Sequence, residues 1–176
     1  MNINMGLRVT LSLLCLLTYP YLANAETSSC PLPNEFRQIP VRDIPAEWVN
    51  DSPYRVVFVN FWGVWCGPCL KELPLLDELA KRANQYQVQT LHVGDNPKAI
   101  QTLFNALSIT HLSQATWPDF EALRDVGFVG LPASLVIVGG QALFQSEGYL
   151  TSTVEEFETW LNCLGEESES PISIDG

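Results

Sequence analysis

Basic residues are scarce in this chain. It carries 9 Lys and Arg against 20 Asp and Glu, a formal net charge of −11 over 176 residues. A surface of that sign repels phosphate backbones, which excludes nucleic acid as a partner class. Histidine is rarer, with His92 and His111 alone. Of the five cysteines only Cys66 and Cys69 stand close together. A zinc site of four ligands needs a second ligand pair at suitable spacing, and none is visible. A copper carrier would want a C-x-x-x-C pair with a well-placed histidine, whereas the spacing here is C-x-x-C. No metal and no cofactor are therefore expected. Internal repeats and a twin-arginine pair are also missing.

A long apolar run is lacking too. Arg8 precedes an apolar stretch at 9–17, Pro20 breaks it, and Ala23-Asn24-Ala25 has the A-x-A form of a cleavage site. The stretch is too short for an ordinary membrane span and reads as a secretory signal peptide over 1–25, cut after Ala25. Retention as an anchor is the alternative, and it would be the chain's membrane link. Cys15 leaves with this segment, and the bulky Leu13-Leu14 before it disfavours a lipoprotein. The mature chain then has 151 residues, enough for one monomeric domain with a sizeable core. The domain is expected over 26–164, with its core over about 40–164 and an acidic, disordered tail over 165–176. Export means an oxidising compartment in which disulfides persist.

What the chain does have is Trp65-Cys66-Gly67-Pro68-Cys69 directly after an apolar, β-branched run. Residues 55–61 read as a buried central strand, and 68–84 as a helix with Leu70, Leu73, Leu76 and Leu79 on one face. Pro74 inside that helix should kink it. A strand feeding two cysteines, three apart at a helix start, builds a dithiol that can open and close. Unpaired N–H groups and the positive dipole end favour a thiolate at Cys66, and Cys69 lies one turn along. This reading requires Cys66 to face solvent. Further on, 88–93 reads as a strand parallel to the first, and 97–107 as a helix begun by Asp95-Asn96-Pro97. Residues 26–52 and 108–118 read as irregular, and 119–125 as a short helix. Strands at 133–138 and 142–146 form a hairpin about Gly139-Gly140, and Ser152 with Glu155 suggests a capping box for a last helix ending near Leu164.

These residues resemble the thioredoxin superfamily, and more narrowly its TlpA-like periplasmic members, including the cytochrome-c-maturation thioredoxins. The resemblance covers roughly 40–164. It rests on the stretch Val59-Asn60-Phe61-Trp62-Gly63-Val64-Trp65-Cys66-Gly67-Pro68-Cys69, on the spacing of Pro74 from Cys66, on the insertion carrying the helix after Asn96, on Gly130-Leu131-Pro132 and on Gly148. It implies an α/β fold with a central mixed sheet flanked by helices and a TlpA-like insertion. It implies Cys66 as the attacking and Cys69 as the resolving cysteine, with Pro132 cis and facing them. Trp65, Gly67, Pro68 and Leu131 would then line the substrate surface, with Trp62 left to packing. Asn60 stands where thioredoxin carries a buried acid, and the TlpA-like pattern points instead to Glu72 as the acid that takes the proton of Cys69. A solvated first-turn glutamate is the alternative for Glu72. Ala133 departs from the cytochrome-maturation members, which carry an acid just after the cis-proline, so a dedicated apocytochrome substrate is in doubt.

Four cysteines remain in the mature chain and allow three pairings. With Cys66 and Cys69 paired locally, Cys30 and Cys163 are expected to form a structural disulfide, two separate thiols being the alternative. His92 reads as a packed core histidine, and Trp48, Trp117 and Trp160 as structural. The functional expectation is a periplasmic thiol–disulfide oxidoreductase that reduces protein substrates and is recharged by a membrane thiol–disulfide donor. An oxidase or isomerase, or a metal- or haem-related binding chaperone without turnover, are the alternatives.

Overall fold

The computed structural model describes residues 28–49, 52–117 and 120–169. The expected signal peptide and residues 170–176 of the expected tail lie outside them. The elements run β1 (Arg37–Arg42), a 3-10 turn (Ala46–Val49), β2 (Val56–Trp62), α1 (Gly67–Arg82), β3 (Tyr86–Val93), α2 (Pro97–Leu107), β4 (Ala115–Trp117), α3 (Glu121–Asp125), β5 (Ala133–Val138), β6 (Gln141–Glu147) and α4 (Val154–Glu169). They build one six-stranded sheet in the order β1-β6-β5-β2-β3-β4. β2, β3 and β4 are parallel, while β5, β6 and β1 are antiparallel to their neighbours. The sheet is therefore mixed, as expected.

β2 lies at the centre and is buried along its whole length. Alternate residues of a strand point to opposite faces. Val56, Phe58 and Trp62 accordingly join Leu73, Leu76, Phe157 and Trp160 on the side of α1 and α4. Val57, Val59 and Phe61 join Trp48, Leu123 and Phe128 on the other. With apolar layers on both faces, β2 reads as a continuous hydrophobic run rather than an alternating one.

Two strands arise where irregular chain was expected. β1 is an edge strand with Pro40 inside it and mostly exposed side chains, so it carries no apolar run to betray it. β4 has three half-buried residues and pairs with β3 only from Leu91 to Val93, too short for a periodic signal. The helix cap also differs. Thr153 N–H donates to Glu156 (2.7 Å) and Glu156 N–H to the Thr153 hydroxyl (3.2 Å), one residue later than the expected Ser152–Glu155 pair. Ser152 is taken by Glu35, whose carboxylate accepts from its N–H and hydroxyl and from Thr151 N–H. Nor does α4 stop near Leu164. Gly165 lies against Gln85, and Glu167 accepts from Ser28 and Ser29, so long-range partners carry the helix to Glu169. The expected disordered tail is thus helical over 165–169. Among the described residues no helix is long and apolar enough to cross a membrane.

Candidate active site

The loop from β2 to α1 carries the dithiol. Cys66 is the N-cap of α1, with extended backbone angles (φ −96°, ψ 98°). Its Sγ accepts from the Cys69 N–H at 3.3 Å, one of the donors a helix start leaves unpaired. The Cys66 N–H is held by Gly63 O at 2.9 Å. Pro68 occupies the first turn, where its missing N–H costs nothing. Cys66 and Cys69 are joined as a disulfide, with Cα atoms 5.3 Å apart. Trp65 is 68% exposed, and its indole lies back over Gly63, where any Cβ would meet the ring at 2.8 Å. Gly67 and Pro68 are exposed beside it.

Cys66 is less open than the sequence reading requires. It keeps 6% of its surface, against none for Cys69. The asymmetry has the expected sign, with access from outside reserved for Cys66, but the opening is narrow.

β5 brings the second part of the site. Ala133 is the register partner of Phe61, so the residues before it stand beside the exit of β2. The Leu131–Pro132 bond is cis, and Pro132 O accepts from Gly148 N–H at 2.9 Å. Leu131 is half-buried and Val129 is 84% exposed. The dithiol and this loop thus share one end of the sheet.

Glu72 is fully buried, so it is not a solvated first-turn residue. It follows Cys69 by three positions and shares its helix face. One carboxylate oxygen accepts from Asn60 Nδ2 at 2.7 Å, the other from Leu150 N–H at 3.2 Å. Burial raises its pKa from 4.5 to about 7, against the pull of those two hydrogen bonds. Asn60 Nδ2 also donates to the hydroxyl of Ser134 at 3.1 Å, while Asn60 Oδ1 has no partner. Sequence reasoning missed Ser134. Its only trace is a lone hydroxyl inside an apolar strand, directly across from Asn60.

Trp62 is buried and stacks on Phe104 at 5.6 Å, a packing role. Cys30 and Cys163 are disulfide-bonded with Cα atoms 5.6 Å apart, tying the N-terminal segment to α4. Among the surface grooves of the described residues, two bear on the site's surroundings. One of about 410 Å³ lies along Pro31–Asn34 and the start of α4, and no residue of the dithiol loop lines it. The other, about 450 Å³, runs along α2 and includes Val64, so it adjoins the site.

No family model matches the chain. Thiol-disulfide oxidoreductase ResA of Bacillus thuringiensis subsp. konkukian (strain 97-27) is 29% identical over 116 residues, covering 64% of this chain and 65% of its own. The chain thus spans just under two thirds of the length of that relative. Among solved structures, StoA from Bacillus subtilis superposes with a TM-score of 0.52 at 19% identity, over 62% of this chain and 84% of its own. The exposed lipoprotein thioredoxin Etrx1 of Streptococcus pneumoniae strain TIGR4 gives 0.53 at 25% identity, over 67% and 89%. A mixed sheet with flanking helices, a C-x-x-C at the start of α1 and a cis-proline at the same sheet end make the fold thioredoxin-like, as it is in these structures. In sequence, the likeness to ResA accompanies that likeness of fold.

Proposed function

We propose that this chain is an exported thiol–disulfide oxidoreductase that reduces disulfides of protein substrates. The reduced Cys66 thiolate attacks one sulfur of a substrate disulfide, forming a mixed disulfide and expelling the first substrate thiolate. Cys69 gives its proton to Glu72 and attacks Cys66 Sγ, which expels the second thiolate and leaves the Cys66–Cys69 disulfide. Two electrons pass to the substrate. A membrane thiol–disulfide protein returns them by the same exchange in reverse. The carrying observation is the placement of a closable pair at a helix N-cap, one member reachable from outside and the other buried beside a carboxyl whose pKa is about 7. A carboxyl with that pKa can take and return a proton near neutral pH. In this scheme Pro132 borders the substrate, with Leu131 offering backbone to an extended segment and Trp65, Gly67 and Pro68 forming the rim.

The name of the exposed lipoprotein Etrx1, with the N-terminal export pattern, supports an extracytoplasmic setting, and we read it as the periplasm. The Gly67-Pro68 dipeptide matches thioredoxin, a reductant at about −270 mV. Cys69→Ser is expected to accumulate mixed disulfides on Cys66 that reducing gels resolve into protein plus substrate. Absence of such adducts would refute the exchange mechanism. A titration against glutathione giving a potential near −120 mV, the range of a strong oxidant, would reverse the direction of electron flow.

A further inference from the structure

His92 is a buried, titratable residue that the exchange scheme above leaves without a task. It sits on β3 as the register partner of Trp62, keeps 2% of its surface and meets the Trp62 ring edge-on at 4.9 Å. Packing alone would suit a phenylalanine there. The imidazole instead spends both nitrogens on backbone. Nδ1 lies 2.7 Å from Gly94 O, and Nε2 lies 3.1 Å from the Val64 N–H. A carbonyl can only accept, so Nδ1 carries the proton. A backbone N–H can only donate, so Nε2 is bare. The ring is therefore neutral and its tautomer is set by two opposite demands.

The two backbone groups belong to different loops. Gly94 opens the turn from β3 to α2 and adopts φ +95°. Val64 is in the dithiol loop, two residues before Cys66. That loop has a second hold, the Cys66 N–H on Gly63 O. The imidazole thus ties Val64 to the sheet while the inner turn ties Cys66 to Gly63. Together they set where Cys66 Sγ stands over the first turn of α1, and hence its contact with the Cys69 N–H. We propose that His92 is a positioning residue for the dithiol: its neutral ring, anchored on Gly94 O, holds Val64 N–H and so keeps Cys66 Sγ at the helix start that stabilises its thiolate. The proposal deepens the redox reading and rests on it.

An amide can imitate each half of the ring. In His92→Asn the shorter side chain keeps a donor for Gly94 O and loses the acceptor for Val64. In His92→Gln the longer one keeps the acceptor. His92→Leu loses both. The measurements are the rate of Cys66 alkylation by iodoacetamide across pH 5–9 on reduced protein, and the equilibrium of the Cys66–Cys69 pair with glutathione. Leu and Asn are expected to slow alkylation at pH 7 about fivefold, the worth of one net hydrogen bond, and to make the pair harder to keep reduced by a similar factor. Gln is expected to restore both toward wild type. Wild-type values in the Leu and Asn variants, at whatever stability, would reduce His92 to packing and overturn the proposal. The wild-type protein supplies an independent check, since ring-nitrogen NMR must show the Nδ1–H form. An Nε2–H form would overturn the proposal without any variant. If wild-type protein forms no mixed disulfide at all, the redox reading falls and this one with it. An active wild type with unaffected His92 variants removes only this one.

Discussion

Glu72→Gln keeps the size and shape of the side chain and deletes its charge. The folded protein holds the Glu72 carboxyl at about 7 against an ordinary 4.5, burial being the leading cause. Below pH 4.5 the group is protonated in both folded and unfolded chains and contributes no pH dependence. Between 4.5 and 7 the unfolded chain ionises it while the folded chain retains the proton. The unfolded state then binds fewer protons, so wild-type stability falls as pH rises through this window and levels off above it. The pKa separation corresponds to about 3 kcal/mol. Urea unfolding of the oxidised protein at intervals from pH 4.5 to 8 reads this directly. The gap between Glu72→Gln and wild type is expected to move by about 3 kcal/mol in favour of the variant across the window. Other titrating groups are common to both proteins and cancel in the difference. Parallel curves for the two proteins would refute the claim that Glu72 titrates near neutrality in the fold, and with it the case for Glu72 as the proton acceptor of Cys69.

Two further outcomes concern stability away from the dithiol. Removing the Cys30–Cys163 bridge, which joins residues 133 apart, by Cys30→Ser with Cys163→Ser is expected to cost about 5 kcal/mol in the chain-entropy model. Urea unfolding with Cys66–Cys69 kept oxidised measures it, and an unchanged midpoint would show that the N-terminal segment is held by its other contacts alone. Thr153→Ala removes the hydroxyl that accepts from Glu156 N–H at the start of α4 and is expected to cost about 1 kcal/mol in thermal unfolding. A variant as stable as wild type would place the effective cap elsewhere.

Central elements were legible because their signals are local. The run from Val56 to Trp62 is apolar but for Asn60 and is buried throughout. Asn96 and Pro97 announce α2, and the Asn96 side chain accepts from Ala99 N–H as an N-cap should. Gly139 and Gly140 take positive φ at the hairpin, where a side chain would be strained. The edges were not legible. β1 and β4 exist because a neighbouring strand offers backbone partners, and a strand paired on one side needs no apolar run of its own. The cap of α4 slipped by one residue because Glu35, 117 positions away, claims Ser152.

At the site, two cysteines three positions apart, entered from a strand and followed by Pro68, determine by themselves that a dithiol sits at a helix start. Helix geometry is short-ranged, and nothing distant is needed to bring one turn's residues together. What surrounds that pair was decided only in three dimensions. Glu72 loses its water because Asn60 and Leu150, 12 and 78 residues away, close over it. Cys66 retreats almost from view, and His92 reaches 28 residues to hold Val64. Desolvation and hydrogen bonding between remote segments depend on which surfaces the fold presses together, and a local pattern of residues carries no record of that.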